Sequence, residues 1–361
     1  MAGVYISWPF CAQKCTYCNF ASGVFPKELE AAYLAALLRE AGSAVWPFEL
    51  ETVYLGGGTP GSMSDEQLGA VLAAIPGRPW REATLEAAPG ALSREGVRGW
   101  VRRGITRVSL GVQSFVDAEL RRTGRRHDAR TVETDVALLR SEGVQEINID
   151  LIAGLPGQTE EGWAMSLDWI ERLAPPHVSV YMLEVDDDSR LGHELLLGGV
   201  RYGALDVPSE DMIAGLYETA VERLERQGLA RYEISNFARP GSESLHNLKY
   251  WQLEPYLGFG ADAHSFDGRL RWQNVEAPGE YAAAADPRVE CVEAKLDEER
   301  FFVGLRLLRG IRPTASEWET HREAIGRLVG DGLLVSDGGT LRLTARGVLL
   351  SNEVFQEFIH A

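Results

Sequence analysis

Trp8-Pro-Phe-Cys-Ala-Gln-Lys-Cys-Thr-Tyr-Cys-Asn-Phe20 places Cys11, Cys15 and Cys18 in a single loop, and the whole chain holds four cysteines. A C-x3-C-x2-C spacing offers three thiolates to one small object, and an iron–sulfur cluster is the natural candidate. Four irons with three protein ligands leave one iron open to a small molecule. A disulfide does not use three cysteines evenly. A structural zinc site usually shows paired C-x2-C elements and four ligands, whereas no histidine lies near this loop. The fourth cysteine, Cys291, is remote, flanked by Glu290 and Glu293, and reads as an unligated thiol.

Working outward, short β-branched runs alternate with amphipathic stretches. Val4–Ser7, Thr52–Leu55, Thr84–Ala87, Arg107–Leu110, Glu146–Leu151 and His177–Leu183 read as strands. Helices fall between them, the first near Lys27–Ala44 and another from an N-cap at Ser64. A repeated βα unit predicts an α/β fold with a parallel sheet of about six strands, a partial barrel. A full eight-stranded barrel is the alternative, and no two further strands stand out before the pattern changes. That change comes near residue 236. Residues 1–235 form the barrel, residues 236–290 an aromatic and histidine-rich connecting segment, and residues 291–361 a C-terminal module. In the last, Leu296–Leu308, Ala324–Gly332 and Thr344–Ile359 read as helices. Between the last two, Leu333–Leu343 holds a Ser-Asp-Gly-Gly turn that signals a short hairpin. Helices plus a hairpin suggest a winged-helix-like module; lacking a basic recognition face, it reads as a lid or packing domain.

With 361 residues the chain has ample core for one large and one smaller unit. No apolar run approaches a bilayer's span and no signal peptide is evident, so a soluble, cytoplasmic protein without an integral membrane segment is expected. A net charge of −17 disfavours nucleic acid and other polyanions as partners.

In a parallel βα array, ligand groups collect at the C-terminal ends of strands. The cysteine loop follows strand one, and Gly56-Gly-Gly-Thr-Pro60 follows strand two, where glycines let backbone approach a ligand closely. Glu86 ends strand three. Gln113 lies in Ser109-Leu-Gly-Val-Gln-Ser-Phe115, Arg125 in Thr123-Gly-Arg-Arg-His127, and Asp150 in Asn148-Ile-Asp-Leu-Ile-Ala-Gly-Leu-Pro156. Any one of these could be a satisfied barrel residue; their recurrence at successive strand ends points to a site.

These motifs resemble the radical S-adenosylmethionine (SAM) superfamily, and specifically its branch related to oxygen-independent coproporphyrinogen III oxidase. The resemblance runs nearly the whole chain, through Leu343-Thr-Ala-Arg-Gly347 and Ser351-Asn352. It implies that Cys11, Cys15 and Cys18 would ligate a [4Fe-4S] cluster whose fourth iron takes the amino and carboxylate groups of SAM. Tyr5 and Tyr17 would flank cluster and SAM, and Gly57, Gly58 and Thr59 would meet its methionine moiety. Glu86, Gln113, Arg125 and Asp150 would contact its other polar groups. An electron from a low-potential donor such as flavodoxin or ferredoxin would cleave SAM reductively, to methionine and a 5′-deoxyadenosyl radical.

Within the branch, the oxidase, which decarboxylates coproporphyrinogen III to protoporphyrinogen IX, resembles C-x3-C-x2-C-x-C, whereas Phe20 holds the fourth position here. It also carries an N-terminal extension for which the residues before Val4 leave no room. The sequence is closer to the HemW-type haem chaperones, whose His-Asn-x-x-Tyr-Trp motif stands here as His246-Asn-Leu-Lys-Tyr-Trp251. The resemblance implies a protein that binds haem and delivers it to an acceptor protein, with coproporphyrinogen dehydrogenation not expected. It assigns haem to His246, Asn247, Tyr250 and Trp251: imidazole is a common axial ligand, and the two rings offer flat apolar faces. Lys249 or Arg239 would meet the propionates, and His264 is a competing ligand. A structural histidine, hydrogen-bonded in a turn, is the other reading of His246. A zinc-binding interaction protein is a third class, which leaves the strand-end residues without a purpose. Two loops depart from the branch: Ala261-Asp262 stands for Pro-Gly, and alanine for asparagine in Glu86-Ala-Ala-Pro89.

Overall fold

The computed structural model describes residues 1–359, so the last two residues of the expected C-terminal module lie outside the description. All six expected strands form. They are β1 (Ala2–Trp8), β2 (Leu50–Gly57), β3 (Glu82–Ala87), β4 (Arg107–Gln113), β5 (Glu146–Ala153) and β6 (His177–Met182). Each pairs in parallel with the next. Right-handed crossovers require a helix between such strands, and the helices Lys27–Ser43, Asp65–Ala73, Arg94–Arg102, Ala129–Ser141 and Glu160–Leu173 supply them. Ser64 is the N-cap its position predicts: its hydroxyl accepts from the Gln67 amide, while the Gln67 side chain accepts from the Ser64 amide at 2.8 Å.

Strand side chains alternate between two faces. In β4 the outward set is Val108, Leu110 and Val112, in β5 Ile147, Ile149 and Leu151, and in β6 Val178 and Val180; these pack into the core. The inward set is polar: Arg107, Ser109 and Gln113; Asn148 and Asp150; His177, Ser179 and Tyr181. One face of the sheet is therefore built for helices and the other for a ligand.

The segment 236–290 contributes several short strands to this sheet. β7 (Ala230–Arg231) and β8 (Asn236–Ala238) extend it antiparallel beyond β6. On the other edge β9 (Tyr256–Phe259) runs parallel to β1, followed by antiparallel β10 (His264–Phe266), β11 (Leu270–Asn274) and β12 (Arg288–Glu293). The strand order, β12-β11-β10-β9-β1-β2-β3-β4-β5-β6-β8-β7, is an open array, and no eight-stranded closure forms among the described residues. Strands lie on both sides of 235/236, and β12 crosses 290/291. These strands escape a periodicity reading because the longest spans only six residues and several are partly exposed.

The C-terminal module holds the helices Leu296–Phe302, Ala315–Thr320 and Arg322–Gly330 and a hairpin of β13 (Leu334–Asp337) and β14 (Thr340–Leu343). Gly338 and Gly339, at φ 56° and 79°, make its two-residue turn, which needs positive φ at both positions. The expected helix Leu296–Leu308 stops at Phe302. The expected helix Thr344–Ile359 is broken at Leu350 (φ −109°, ψ 32°) into Ala345–Leu349 and Ser351–Gln356, which lets Val348, Val354, Phe355 and Phe358 all face the core. No helix among the described residues is long and apolar enough to cross a membrane.

Candidate functional site

The cysteine loop leaves β1 and is pinned at its neck, where Cys11 N donates to Gly23 O at 2.8 Å and Gly23 N to Pro9 O at 2.9 Å. The glycine loop after β2 packs directly against it: Thr59 N donates to Phe10 O at 3.1 Å, and the Thr59 hydroxyl to Cys11 Sγ at 3.6 Å. A Cβ on Gly58 would stand 2.6 Å from Trp8 O, so only glycine permits this approach. Burial pushes the Cys11 thiol up from its ordinary pKa, and the Thr59 hydrogen bond opposes that. Among the described residues, no three His, Cys, Asp or Glu side chains converge on a single metal ion. A cluster asks for something else, one thiolate per iron, and a shared loop supplies it.

Behind the loop lies a cavity of about 970 Å3 that runs down the inside of the sheet. Its wall is the inward polar set. Tyr54 donates to Glu86 Oε1 at 2.8 Å. Burial, with Asp150 adding repulsion against the Tyr54 hydrogen bond, lifts Glu86 to about 7. Asp150 is likewise raised by burial, against hydrogen bonds from Ser109 (2.9 Å) and Asn148 (2.7 Å). Arg125 donates to Tyr17 Oη at 3.3 Å and to Gly111 O at 2.5 Å. His177 Nδ1 meets Asn148 Oδ1 at 2.6 Å and Nε2 meets Tyr232 Oη at 2.9 Å. The amide oxygen only accepts, so the neutral imidazole carries its proton on Nδ1 and accepts from the tyrosine. Burial holds its pKa well below the usual histidine range.

Two observations test whether these residues fit a polar cofactor. Gln113 sits at φ 72° where the β4–β5 register shifts, a bulge that re-aims its side chain, and its Oε1 is buried without a partner. Thr84 Oγ1, on the same cavity, is also unpartnered. Buried polar atoms are normally satisfied, so this wall is incomplete without a hydrogen-bonding ligand. The donor set of three thiols, unpaired amide and hydroxyl oxygens, two carboxylates and one guanidinium fits a cluster and SAM.

Of the expected residues, Cys11, Cys15, Cys18, Tyr17, Gly57, Gly58, Thr59, Glu86, Gln113, Arg125 and Asp150 all line this cavity. Tyr5 does not; it stacks on Tyr54 at 6.1 Å between centroids, and Tyr54 is the ring at the wall. Sequence reading missed Tyr54, Ser109, Asn148, His177, Ser179 and Tyr181. The signal was present as polar residues spaced by two within apolar strands.

The expected haem residues are placed elsewhere. Helix Leu245–Trp251 closes the floor of the array, at the strand starts. Glu82 accepts from the amides of Leu245 (3.2 Å) and His246 (2.9 Å), and Arg107 ties Glu82 (3.0 Å) to Ser242 O (2.8 Å). His246 is 0% exposed, with Nδ1 on Thr52 Oγ1 and Nε2 on Tyr250 Oη, both at 2.8 Å. Burial takes its pKa to about 3. In this conformation it is the structural, hydrogen-bonded histidine and offers iron no free nitrogen. Lys249, buried between Glu51 (2.6 Å) and Glu254 (2.9 Å), has no reach to a propionate. Tyr250 packs edge-on against Tyr256, and the Arg306 guanidinium covers Trp251. Asn247 alone of the four reaches the cavity. His264 is exposed on β10 and Arg239 is exposed beyond β8.

The model of the radical SAM superfamily matches residues 5–170, and that of the HemN C-terminal domain residues 296–350. The heme chaperone HemW of Lactococcus lactis is 36% identical, over 98% of this chain and 96% of its own length. HemW of Escherichia coli is 30% identical over 99% and 97%. The bovine radical S-adenosyl methionine domain-containing protein 1, mitochondrial, is 31% identical over 96% and 85%. Among solved structures, coproporphyrinogen III oxidase (HemN) of Escherichia coli superposes with a TM-score of 0.81 at 20% identity, covering 99% of this chain and 89% of that one, which establishes a shared fold.

Proposed function

The chain belongs to the HemW family of the radical SAM superfamily, and from that footing we propose that it is a haem chaperone holding a [4Fe-4S] cluster and SAM, which binds haem and passes it to an acceptor protein. The observation that carries the proposal is the incomplete cavity wall, with three thiols at its mouth and Gln113 Oε1 and Thr84 Oγ1 unpartnered inside.

Cys11, Cys15 and Cys18 hold the cluster, which supplies one-electron reducing power to SAM. Gly58 lets the glycine loop close on the cysteine loop, so that Thr59 supports Cys11. Gln113, Glu86, Arg125 and Asp150 orient the polar groups of SAM, and Tyr54 fixes the rotamer of Glu86.

Ligation of haem iron by His246 Nδ1 requires helix Leu245–Trp251 to leave that floor, because Thr52 of the sheet holds this nitrogen, whereas Tyr250 holds Nε2 from within the helix. Haem uptake through this nitrogen is therefore tied to opening of the Glu82–Arg107 latch. The test is anaerobic reconstitution with iron and sulfide assay, then haem titration of wild type and His246→Ala alongside amide exchange. Loss of haem by the variant, with faster exchange at Leu245 and His246 in haem-loaded wild type, supports ligation by an opened floor. Stoichiometric haem in the variant leaves His246 as a structural residue. Incubation with coproporphyrinogen III, SAM and a reductant tests the chaperone reading itself. Formation of protoporphyrinogen IX would make the chain an oxidase.

A further inference from the structure

The cysteine loop has a second face. Beside the cavity, and sharing Lys14 and Arg126 with it, lies a depression of about 550 Å3 lined by Lys14, Arg121, Arg122, Arg126 and Arg190, with no acidic residue among its lining. Five cations converge there on a chain whose net charge is −17. Their charge is poorly neutralised. Arg121–Asp117 and Arg122–Asp206 are long and exposed, at 3.8 Å and 3.6 Å. Lys14, Arg126 and Arg190 have no acidic partner among the described residues; Lys14 bonds Phe20 O at 3.1 Å, and Arg190 bonds Lys14 O. Val24 and Tyr202 give the depression an apolar part, and the exposed side chains of Phe20 and Leu205 lie in the segments that flank it. Exposed apolar side chains among arginines are common in protein-docking surfaces.

Ala12, Gln13 and Lys14, the residues between the first two cysteines, line both this depression and the interior cavity. The segment 12–14 is thus shared by the two, with the three thiols on the cavity alone and Arg121, Arg122 and Arg190 on the depression alone. We infer that the depression is the docking surface for an acidic, low-potential one-electron carrier protein. The inference rests on the reading of Cys11, Cys15 and Cys18 as cluster ligands. One electron leaves the reduced carrier, which is oxidised by one unit, and crosses the loop to the oxidised cluster, which is reduced by one unit. No bond forms or breaks and no proton is required. Opposite charge across such a surface speeds encounter and selects the partner, and its effect fades as salt screens it.

The test uses a flavodoxin as carrier and the anaerobically reconstituted full chain, comparing wild type with the double variant Arg121→Glu/Arg126→Glu and with Arg226→Glu, a charge reversal outside the depression. Wild type is expected to bind flavodoxin in a salt-sensitive manner. The double variant is expected to weaken binding by about tenfold or more, and Arg226→Glu to leave it unchanged. Reduction by the flavodoxin, followed by the visible and paramagnetic spectra of the cluster, slows in parallel, whereas reduction by dithionite and iron content do not change. Equal binding by wild type and double variant, no salt dependence, or equally tight binding of wild type to a short DNA duplex would each overturn the docking site. Dithionite bypasses the surface. A sample it cannot reduce tells against the cluster, while failure confined to the flavodoxin tells against the docking surface.

Discussion

Glu86 carries its carboxylate into the cavity wall, and burial lifts it to about 7 in the folded chain. An unfolded glutamate titrates near 4.3. The native state thus binds this proton more tightly than the unfolded one, and linkage then makes stability fall as pH rises between the two values. The full span is at most on the order of 3 kcal/mol, because the carboxylate faces a cavity that water can screen. In cofactor-free protein, Glu86→Gln is expected to flatten the denaturation midpoint between pH 4.5 and 7, and an unchanged slope would place the titration elsewhere. Tyr54→Phe removes a hydrogen bond to the charged form and is expected to move the titration of Glu86 to higher pH. His246→Ala empties a buried site and strands Thr52 and Tyr250, for an expected loss of about 2–4 kcal/mol in urea unfolding. His246→Asn keeps one polar partner and is expected to recover part of it.

At the scale of elements, two junctions decide the site. The first is the contact of the glycine loop with the cysteine loop. Gly58→Ala drives a methyl group into Trp8 O and Pro9, so the loops must part. Its expected signature is a lower iron and sulfide content after reconstitution, with a far-UV spectrum like that of wild type. The second is the floor, where Glu82 holds both Arg107 and the start of helix Leu245–Trp251. Glu82→Ala leaves the 3%-exposed Arg107 short of its nearest carboxylate, a loss of about 3–5 kcal/mol. Faster amide exchange across residues 245–251 is the measurement that checks it, and unchanged protection would mean the helix is held by its apolar contacts alone.

Across the whole molecule, the C-terminal module is tied to the sheet rather than appended to it. Leu308 N donates to Tyr232 O at 3.2 Å, Arg271 pairs with Glu299 at 2.6 Å, and Arg306 lies over Trp251 at 4.5 Å. Arg306, Ser351 and Asn352 also border the cavity. Removal of residues 296–361 is expected to expose Trp251, shift tryptophan emission to the red and lower the unfolding temperature. Retention of the full-length transition would show that the module is an independent unit.

What was legible in the sequence is what local chemistry dictates. Three cysteines in one loop, a glycine triplet and six apolar runs were enough for the parallel core, its order and the end of the sheet where polar groups gather, because parallel strands must be linked by crossovers and their ends must gather ligands. The polar ladder Arg107, Ser109, Gln113 and Asn148, Asp150 was present as a period of two, legible once one asks which face of a strand is wet. Only the tertiary structure decided the rest. A two- or three-residue strand such as β7 or β8 exists because a neighbour offers unpaired backbone groups, not because its own residues demand it. The same holds for His246: its own residues favour a support, and the family resemblance favours a ligand. In this conformation Thr52 and Tyr250 engage both of its nitrogens, and a nitrogen already engaged in a hydrogen bond in a closed floor is not available to a metal.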